Sequence, residues 1–180
     1  MSAYGQPQTG GYTPVEITAA YGLNGITFNS SAGTPVNGNG AGETIALIEE
    51  YHDPNIRTDL TTFDSAYQLP GASLTVVNLA GNQTNNTWAL EESMDVEWAH
   101  AIAPGAKILV VEATPSNSET RELQNQLAAV AIARNTLGVV AISMSWGFIE
   151  RLGELSHDRY FTTPAGHTGI TFIASSGDYG

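Results

Sequence analysis

The run Thr44-Ile45-Ala46-Leu47-Ile48, which leads directly into the carboxylates Glu49 and Glu50, is the stretch of this sequence that decides the fold. A continuous apolar run of this length, without the alternation of a half-exposed strand, is typical of a strand buried on both faces. Such strands occur in parallel sheets, because the crossover connections place helices over both faces. We therefore predict a parallel sheet with residues 44–48 in its interior and two carboxylates at the carboxyl end of that strand.

The same kind of signal repeats on either side of this strand. Further strands are predicted at 73–79, 108–111, 139–144 and 170–174, and helices at 13–21, 53–67, 88–102 and from 116 to the glycine at 138. Capping boxes at Thr13–Glu16 and Ser116–Glu119 mark two helix starts, and the segment 30–42, rich in Gly and Asn, is predicted to be a loop. This alternation predicts an α/β fold, a mostly parallel sheet with helices on both faces. In such sheets functional residues gather in the loops after the strands.

Length, composition and charge limit the classes of protein and partner. With 180 residues, 42% hydrophobic and 13% charged, the chain is predicted to fold as one globular domain. Residues 1–12 are polar, lack the features of a signal peptide and are expected to be a flexible lead-in; no apolar run is long enough for a membrane span. Eighteen acidic against six basic residues give a net charge of −12, which argues against a nucleic-acid partner. The absence of cysteine excludes disulfides and thiol catalysis.

Glu91 and Asp95 are the first candidates for chemistry. They are four residues apart on the predicted helix 88–102, so their side chains lie on one face, about one turn apart. An apolar stripe beside them predicts that the pair lies at the edge of the buried face: Leu90, Met94, Trp98 and Ile102. Two carboxyls held together away from water share a proton, which makes one of them a general base in acid solution. Spacing alone favours the alternative, a solvated acidic face that includes Glu92 and Glu97.

Asp178 and the histidines are the remaining polar candidates. Asp178 lies in the turn Ser-Ser-Gly-Asp-Tyr-Gly at 175–180, where glycines allow close approach of a ligand. It can orient a substrate or, when protonated, donate a hydrogen bond to an oxyanion; the alternative is an Asp turn that bonds only its own backbone. No metal site is predicted, because a single Glu97-x-x-His100 lacks the second copy that a di-metal bundle needs. The other histidines, His52 among them, are predicted to be isolated surface or turn residues.

Four segments together resemble the sedolisin family of serine-carboxyl peptidases, in particular its kumamolisin-like members. They follow the family's order along the chain: the start of the mature catalytic domain at 12–22, the Glu-x-x-Leu-Asp helix at 91–95, the Ser-x-Ser-Trp-Gly-x-x-Glu segment at 143–150, and the Ser-Ser-Gly-Asp-x-Gly turn at 175–180. Met94 stands where the family usually has Leu, a mild exchange. Four motifs in order are far more specific than one acidic pair, and they favour the catalytic interpretation.

The resemblance implies a subtilisin-like fold and a catalytic role for three residues. Glu91 would accept the proton of a nucleophilic serine, in the position where subtilisin-like enzymes have a histidine. Asp95 would hold and tune Glu91. Asp178 would occupy the oxyanion position, which requires that it be protonated and therefore implies activity at acidic pH.

The resemblance also implies supporting and substrate-binding residues. Glu49 resembles the additional Glu that extends the network in kumamolisin-like members, and Trp146 would pack beside that network. The strand edge from Ser145 to Gly147 would bind the backbone of a peptide or protein substrate by β-augmentation.

One departure from the family pattern limits these expectations. The family's nucleophile lies in a Gly-Thr-Ser motif beyond the Asp turn, and the sequence, which ends at Gly180, contains no such motif. The chain is therefore expected to be the N-terminal part of a single peptidase catalytic domain, incomplete at its C-terminus and inactive by itself. The resemblance further implies a secreted protein, a C-terminal half of the domain as partner, and calcium held by ligands beyond Gly180.

Two other functions fit parts of the same sequence. A non-catalytic peptide-binding or interaction module would keep this half of the fold without cleaving its ligand. A sugar hydrolase is disfavoured, because adjacent turns of one helix place both carboxyls on one side of a glycosidic bond, whereas hydrolysis normally needs one on each side.

Overall fold

A computed structural model describes residues 11–149 and 152–177 of the chain. Its α-helices are α1 (Pro14–Ala20), α2 (Ile56–Tyr67), α3 (Asn86–Ile102) and α4 (Glu119–Asn135). Its strands are β1 (Thr27–Asn29), β2 (Pro35–Asn37), β3 (Thr44–Glu50), β4 (Ser73–Asn78), β5 (Lys107–Ala113), β6 (Val139–Met144) and β7 (Thr171–Ala174). Two 3-10 helices cover Leu23–Gly25 and Glu154–Phe161.

The five strands β3 to β7 form one sheet in the order β4-β5-β3-β6-β7, and all neighbouring pairs are parallel. β3 is the central strand, and its apolar residues are shielded from solvent on both faces: Ala46 and Ile48 are 0% exposed and Leu47 is 2% exposed. The prediction of an α/β fold with a mostly parallel sheet, helices on both faces and residues 44–48 in its interior is confirmed.

Separate apolar cores fix the helices to the two faces of the sheet. On one face, α4 packs through Val130 against Val111. On the other face, Leu60 of α2 and Val96 of α3 pack with Val110. Each fully buried Val, Leu or Ile contributes about 1.5–3 kcal/mol relative to an exposed one. Val96 thus anchors the helix that carries Glu91 and Asp95.

The two predicted capping boxes have different outcomes. At α1 the box is confirmed: Glu16 N donates to Thr13 Oγ1 at 3.3 Å, and Thr13 N donates to Glu16 Oε2 at 2.8 Å. At α4 the prediction is wrong, because the N-cap is Ser118. Ser116 Oγ instead accepts from Ser118 N at 3.1 Å, so this side chain stabilises a local turn that precedes the helix.

Two other local features differ from the sequence prediction. The segment predicted as a loop contributes β2 to an antiparallel hairpin in which Phe28 pairs with Val36. Both hairpin strands are exposed along their length, so no alternation of buried and exposed residues marks them in the sequence. α2 begins only at Ile56, because Asp53 Oδ1 accepts from Asn55 N at 2.8 Å and forms a turn in front of the helix.

α3 turns a different face to the sheet from the one predicted. Leu90 is 72% exposed and Met94 46% exposed, so the predicted apolar stripe is not the buried one. The row that faces the core is Glu92, Val96 and His100, spaced four residues apart and 0–1% exposed. Two of these three residues are polar, and their burial depends on partners that local periodicity does not reveal.

His100 has such partners in the connection between α2 and β4. Its Nε2 donates to the carbonyl oxygen of Pro70 at 2.8 Å and lies 3.3 Å from Oδ1 of Asp64 on α2. This contact ties the carboxyl half of α3 to α2 and leaves the amino half, with Glu91 and Asp95, at the carboxyl edge of the sheet.

Candidate active site

The start of α3 is fixed by its N-cap residue. Asn85 Oδ1 accepts from Thr87 N at 2.9 Å and from Trp88 N at 3.3 Å, which satisfies two of the amide groups that an uncapped helix leaves without partners. The cap defines where the first turns of α3 lie relative to the strand ends. Glu91 and Asp95 follow on those turns, and both side chains are half-buried.

Asp95 is joined to the end of β6. Ser145, the residue directly after that strand, donates a hydrogen bond from Oγ to Asp95 Oδ2. The contact connects the helix predicted to carry the acid/base pair with the strand edge predicted to bind substrate. These two predicted parts of the site, separated by 50 residues in sequence, are therefore in direct contact.

Glu49 lies behind this contact, at the end of β3. It is 0% exposed, and neither of its side-chain oxygens has a hydrogen-bond partner among the described residues. Its pKa is raised well above the usual value, first by burial and then by the charges of Asp95, Glu92 and Glu91. Burial therefore favours the protonated form of Glu49, which lies next to the predicted pair.

An open cleft of about 690 Å³ lies beside the pair. Glu91, Ser145 and Gly147 line it, so it contains three of the residues predicted for catalysis and substrate binding. The other lining residues come from the start of α3, the segment after β6 and the segment after β7: Thr87, Trp88, Phe148, Ile149, Ser175, Ser176 and Gly177. Aromatic and aliphatic walls with a few polar groups are typical of ligand sites.

Trp146 and Asp178 complete the predicted set. Trp146 packs against the apolar core on the α4 face, and its ring centroid is 5.8 Å from that of Phe148. Its indole Nε1 is buried and has no hydrogen-bond partner among the described residues. Asp178 lies outside the described residues, directly after Gly177 in the sequence.

A second group of buried polar side chains adjoins Glu49. Glu112, at the end of β5, is 0% exposed and is in register with Glu49 on the neighbouring strand. Both oxygens of Glu112 lie 2.9 Å from Nδ1 of His52, and Oε1 accepts from Asp53 N at 3.2 Å. Glu92 of α3 is close to Glu112, and burial together with the charges of Glu112 and Asp53 raises the pKa of Glu92 to about 9.

This second group was not predicted from the sequence. His52 was expected to be an isolated surface or turn residue, but its Nδ1 lies 2.9 Å from both carboxyl oxygens of Glu112, so the prediction that it is isolated is wrong. The alternative interpretation of the acidic pair places Glu92 on a solvated face, whereas Glu92 is 1% exposed. One signal was available: a carboxylate that ends the apolar strand 108–111 occupies the same edge of the sheet as Glu49.

The carboxyls of Glu49 and Glu92 lie close to other negative charges. In residues 11–149 and 152–177, no group of three or more His, Asp or Glu side chains is arranged to hold a metal ion. Burial and neighbouring negative charges raise the pKa values of Glu49 and Glu92, which favours their neutral, protonated forms. Carboxyls that lie close together and have raised pKa values can exchange protons.

Comparison with known proteins supports the fold. No family model and no curated protein matches the chain. Among solved structures, the chain is similar to Pseudomonas sedolisin, a serine-carboxyl proteinase complexed with two molecules of pseudo-iodotyrostatin, with a TM-score of 0.64 and 24% identity. The chain has a sedolisin-like fold. The match covers 79% of this chain and 41% of the sedolisin chain.

The sedolisin-like fold agrees with the architecture described above, a mostly parallel sheet with helices on both faces. At this identity the likeness concerns the fold, and the site residues rest on the geometry of the chain itself. No helix in the described part of the chain has the length and apolar character needed to cross a membrane.

Proposed function

We propose that this chain supplies the proton-handling part of a serine-carboxyl peptidase active site. The observation that carries the proposal is the contact between Ser145 and Asp95 at the wall of the cleft, with Glu91 lining the same cleft and Glu49 buried behind. Glu91 lies at the cleft, Asp95 is the second carboxyl and Glu49, in its protonated form, is the third. In this arrangement Glu91 can act as a general base whose proton affinity is set by its neighbours.

The proposed reaction is hydrolysis of a peptide bond at acidic pH. Glu91 accepts the proton of a serine nucleophile that a Gly-Thr-Ser motif outside these residues supplies. Asp95 orients Glu91, and Glu49 keeps a proton next to Asp95. Asp178, in its protonated form, donates a hydrogen bond to the oxyanion that develops on the substrate carbonyl. Because Asp178 must be protonated and Glu91 ionised, the proposed activity is confined to acid solution.

The proposed substrate is an extended segment of peptide or protein. Ser145 to Gly147 continue from β6 along the cleft, and an extended backbone can pair with such a segment as an added strand. Trp88, Phe148 and Ile149 offer apolar surface for alternate side chains of the bound segment. Trp146, packed beneath Phe148, supports this wall.

Three further features belong to the proposal as a whole. The remainder of the catalytic domain is the proposed partner of this chain. Calcium, which the family resemblance implies, is proposed to be bound by that remainder. Secretion into an acidic environment is proposed as well, because a net charge of −12 becomes less self-repelling as carboxylates are protonated.

The test is peptide hydrolysis by the protein that the complete reading frame encodes. We expect Glu91→Gln and Asp95→Asn each to lower kcat/KM at acidic pH by at least about a hundredfold, the usual contribution of general acid–base catalysis. Glu97→Gln is the matched control, because Glu97 lies on the same helix but faces Asp59 and Asp64. Near-normal rates for either of the first two variants would reject the assigned roles.

A non-catalytic peptide-binding module is the second candidate. The cleft and the strand edge favour it, because both serve binding without any proton transfer. The two candidates differ in the reading frame after Gly180, where a peptidase requires a Gly-Thr-Ser motif. If a stop codon follows directly and the folded chain binds extended peptides without cleaving them, the binding module is correct.

A further inference from the structure

We propose that His52, Glu112 and Glu92 form a proton-holding array that sets the charge beside Glu49. They would act as positioning residues for the pair Glu91–Asp95. The role in catalysis rests on the proposed function, whereas the sharing of a proton within the array does not.

The outer end of the array is the contact between His52 and Glu112. His52 Nδ1 lies 2.9 Å from each carboxyl oxygen of Glu112, and the backbone N–H of Asp53 donates to Oε1 at 3.2 Å. A backbone N–H can only donate, so Glu112 is the acceptor in that contact. The His52 side chain is 26% exposed and Glu112 is fully buried, so His52 is the member of the array that meets solvent.

The backbone conformation around His52 places its side chain next to Glu112. Tyr51 adopts a φ of 64°, a left-handed conformation that is uncommon for a residue other than glycine. His52 N donates to the carbonyl oxygen of Gln83 at 2.8 Å, and Tyr51 N donates to that of Ala113 at 3.2 Å. These contacts turn the chain at the end of β3 and hold His52 over the end of β5.

Glu92 is the middle member. It is 1% exposed, its Oε1 has no hydrogen-bond partner among the described residues, and the negative charges of Glu112 and Asp53 act on it. With His52 protonated at Nδ1, Glu112 accepts hydrogen bonds from both His52 and the backbone, and in the proposed array the proton of the carboxyl pair therefore resides on Glu92. Glu92 then donates to Glu112, which is the arrangement that leaves a single negative charge on the pair.

The inner end of the array reaches the candidate site through Glu49. The carboxyls that act on Glu49 are Asp95, Glu92 and Glu91, all on α3, and Glu112 is in register with it on the adjacent strand. A protonated Glu92 adds no charge beside Glu49. If Glu92 lost its proton, a further negative charge would act on Glu49, and the proton affinity of Glu49 would rise.

The experiment is a carbon-13 NMR titration of the glutamate carboxyl groups in the 180-residue chain, from about pH 3 to about pH 10. In the unsubstituted chain we expect Glu92 to titrate near pH 9. Glu112→Gln keeps the shape but removes the charge, so it should lower the Glu92 midpoint by about one pH unit or more. His52→Phe removes the donor to Glu112, which destabilises the negative charge on the carboxyl pair. The Glu92 midpoint should therefore rise by about one pH unit.

His157→Gln is the control for loss of an imidazole outside the array, and we expect it to leave every glutamate midpoint unchanged. The amide spectrum of each variant reports whether it is folded. The array is rejected if Glu92 titrates like an ordinary Glu in the unsubstituted chain, or if Glu112→Gln, folded, leaves the Glu92 midpoint where it was. Neither outcome depends on peptide hydrolysis. The proposed function can therefore be rejected while the array is confirmed, and the array can be rejected while the proposed function is confirmed.

Discussion

Glu49 is a buried acid whose ionised form the fold disfavours. Its pKa is raised above the ordinary Glu value by burial and by the carboxyls of α3. A raised folded-state pKa means that the folded chain holds this proton while the unfolded chain releases it, so its contribution to stability falls as the pH rises above the unfolded value. Glu49→Gln, which cannot ionise, should therefore raise the free energy of unfolding at pH 8 by about 1–3 kcal/mol.

Urea denaturation at two pH values measures this effect. The stabilisation by Glu49→Gln should be present at pH 8 and nearly absent at pH 4, where the carboxyl is protonated in both states. The exposed Glu43 lies just before the same strand, so Glu43→Gln serves as a control with no comparable gain. An equal or lower stability of Glu49→Gln at pH 8 would show that the fold holds Glu49 as an anion.

At the scale of the element, the position of α3 depends on its cap. Asn85 satisfies two amides at the helix start, and replacement of such a residue by Ala typically costs about 1 kcal/mol. We expect Asn85→Ala to lower the free energy of unfolding by that amount in urea denaturation. Asn82→Ala, in the exposed turn before the helix, should have little effect. Equal losses in the two variants would contradict the capping role.

α3 also shows what the sequence can and cannot predict. Its existence and its end at Ile102 follow from local signals, whereas it begins at Asn86, two residues before the predicted start. Its buried face does not follow from local signals. Periodicity favoured the stripe through Leu90, whereas the row that begins at Glu92 is buried because β5 supplies Glu112. Partners of that kind belong to tertiary structure, and apolar periodicity carries no information about them.

At the scale of the whole molecule, carboxyl groups with raised pKa values occur on both faces of the sheet. Burial raises the pKa of Glu92 to about 9, and on the α4 face burial and Glu122 raise the pKa of Glu50 to about 7. Burial and the charges of Asp59 and Asp64 raise that of Glu97 to about 7. These groups bind protons on folding, so acid should favour the folded state, in contrast to the usual acid denaturation of proteins.

We therefore expect the urea midpoint of the chain to rise steadily as the pH is lowered from about 9 to about 5. Each of these carboxyls contributes a slope of at most about 1.4 kcal/mol per pH unit between its unfolded and folded pKa values, and the gain ends near the unfolded value of 4.5. Reduced repulsion among surface charges acts in the same direction, but salt screens exposed charges far more than buried ones. Two results would show that the buried carboxyls cause the pH dependence of the urea midpoint. The dependence should persist in about 0.5 M NaCl, and it should become weaker in the double variant Glu49→Gln with Glu92→Gln. A midpoint that is lower at pH 5 than at pH 8 would mean that the fold stabilises these carboxyls as anions, and it would remove the basis for a protonated acid beside Asp95.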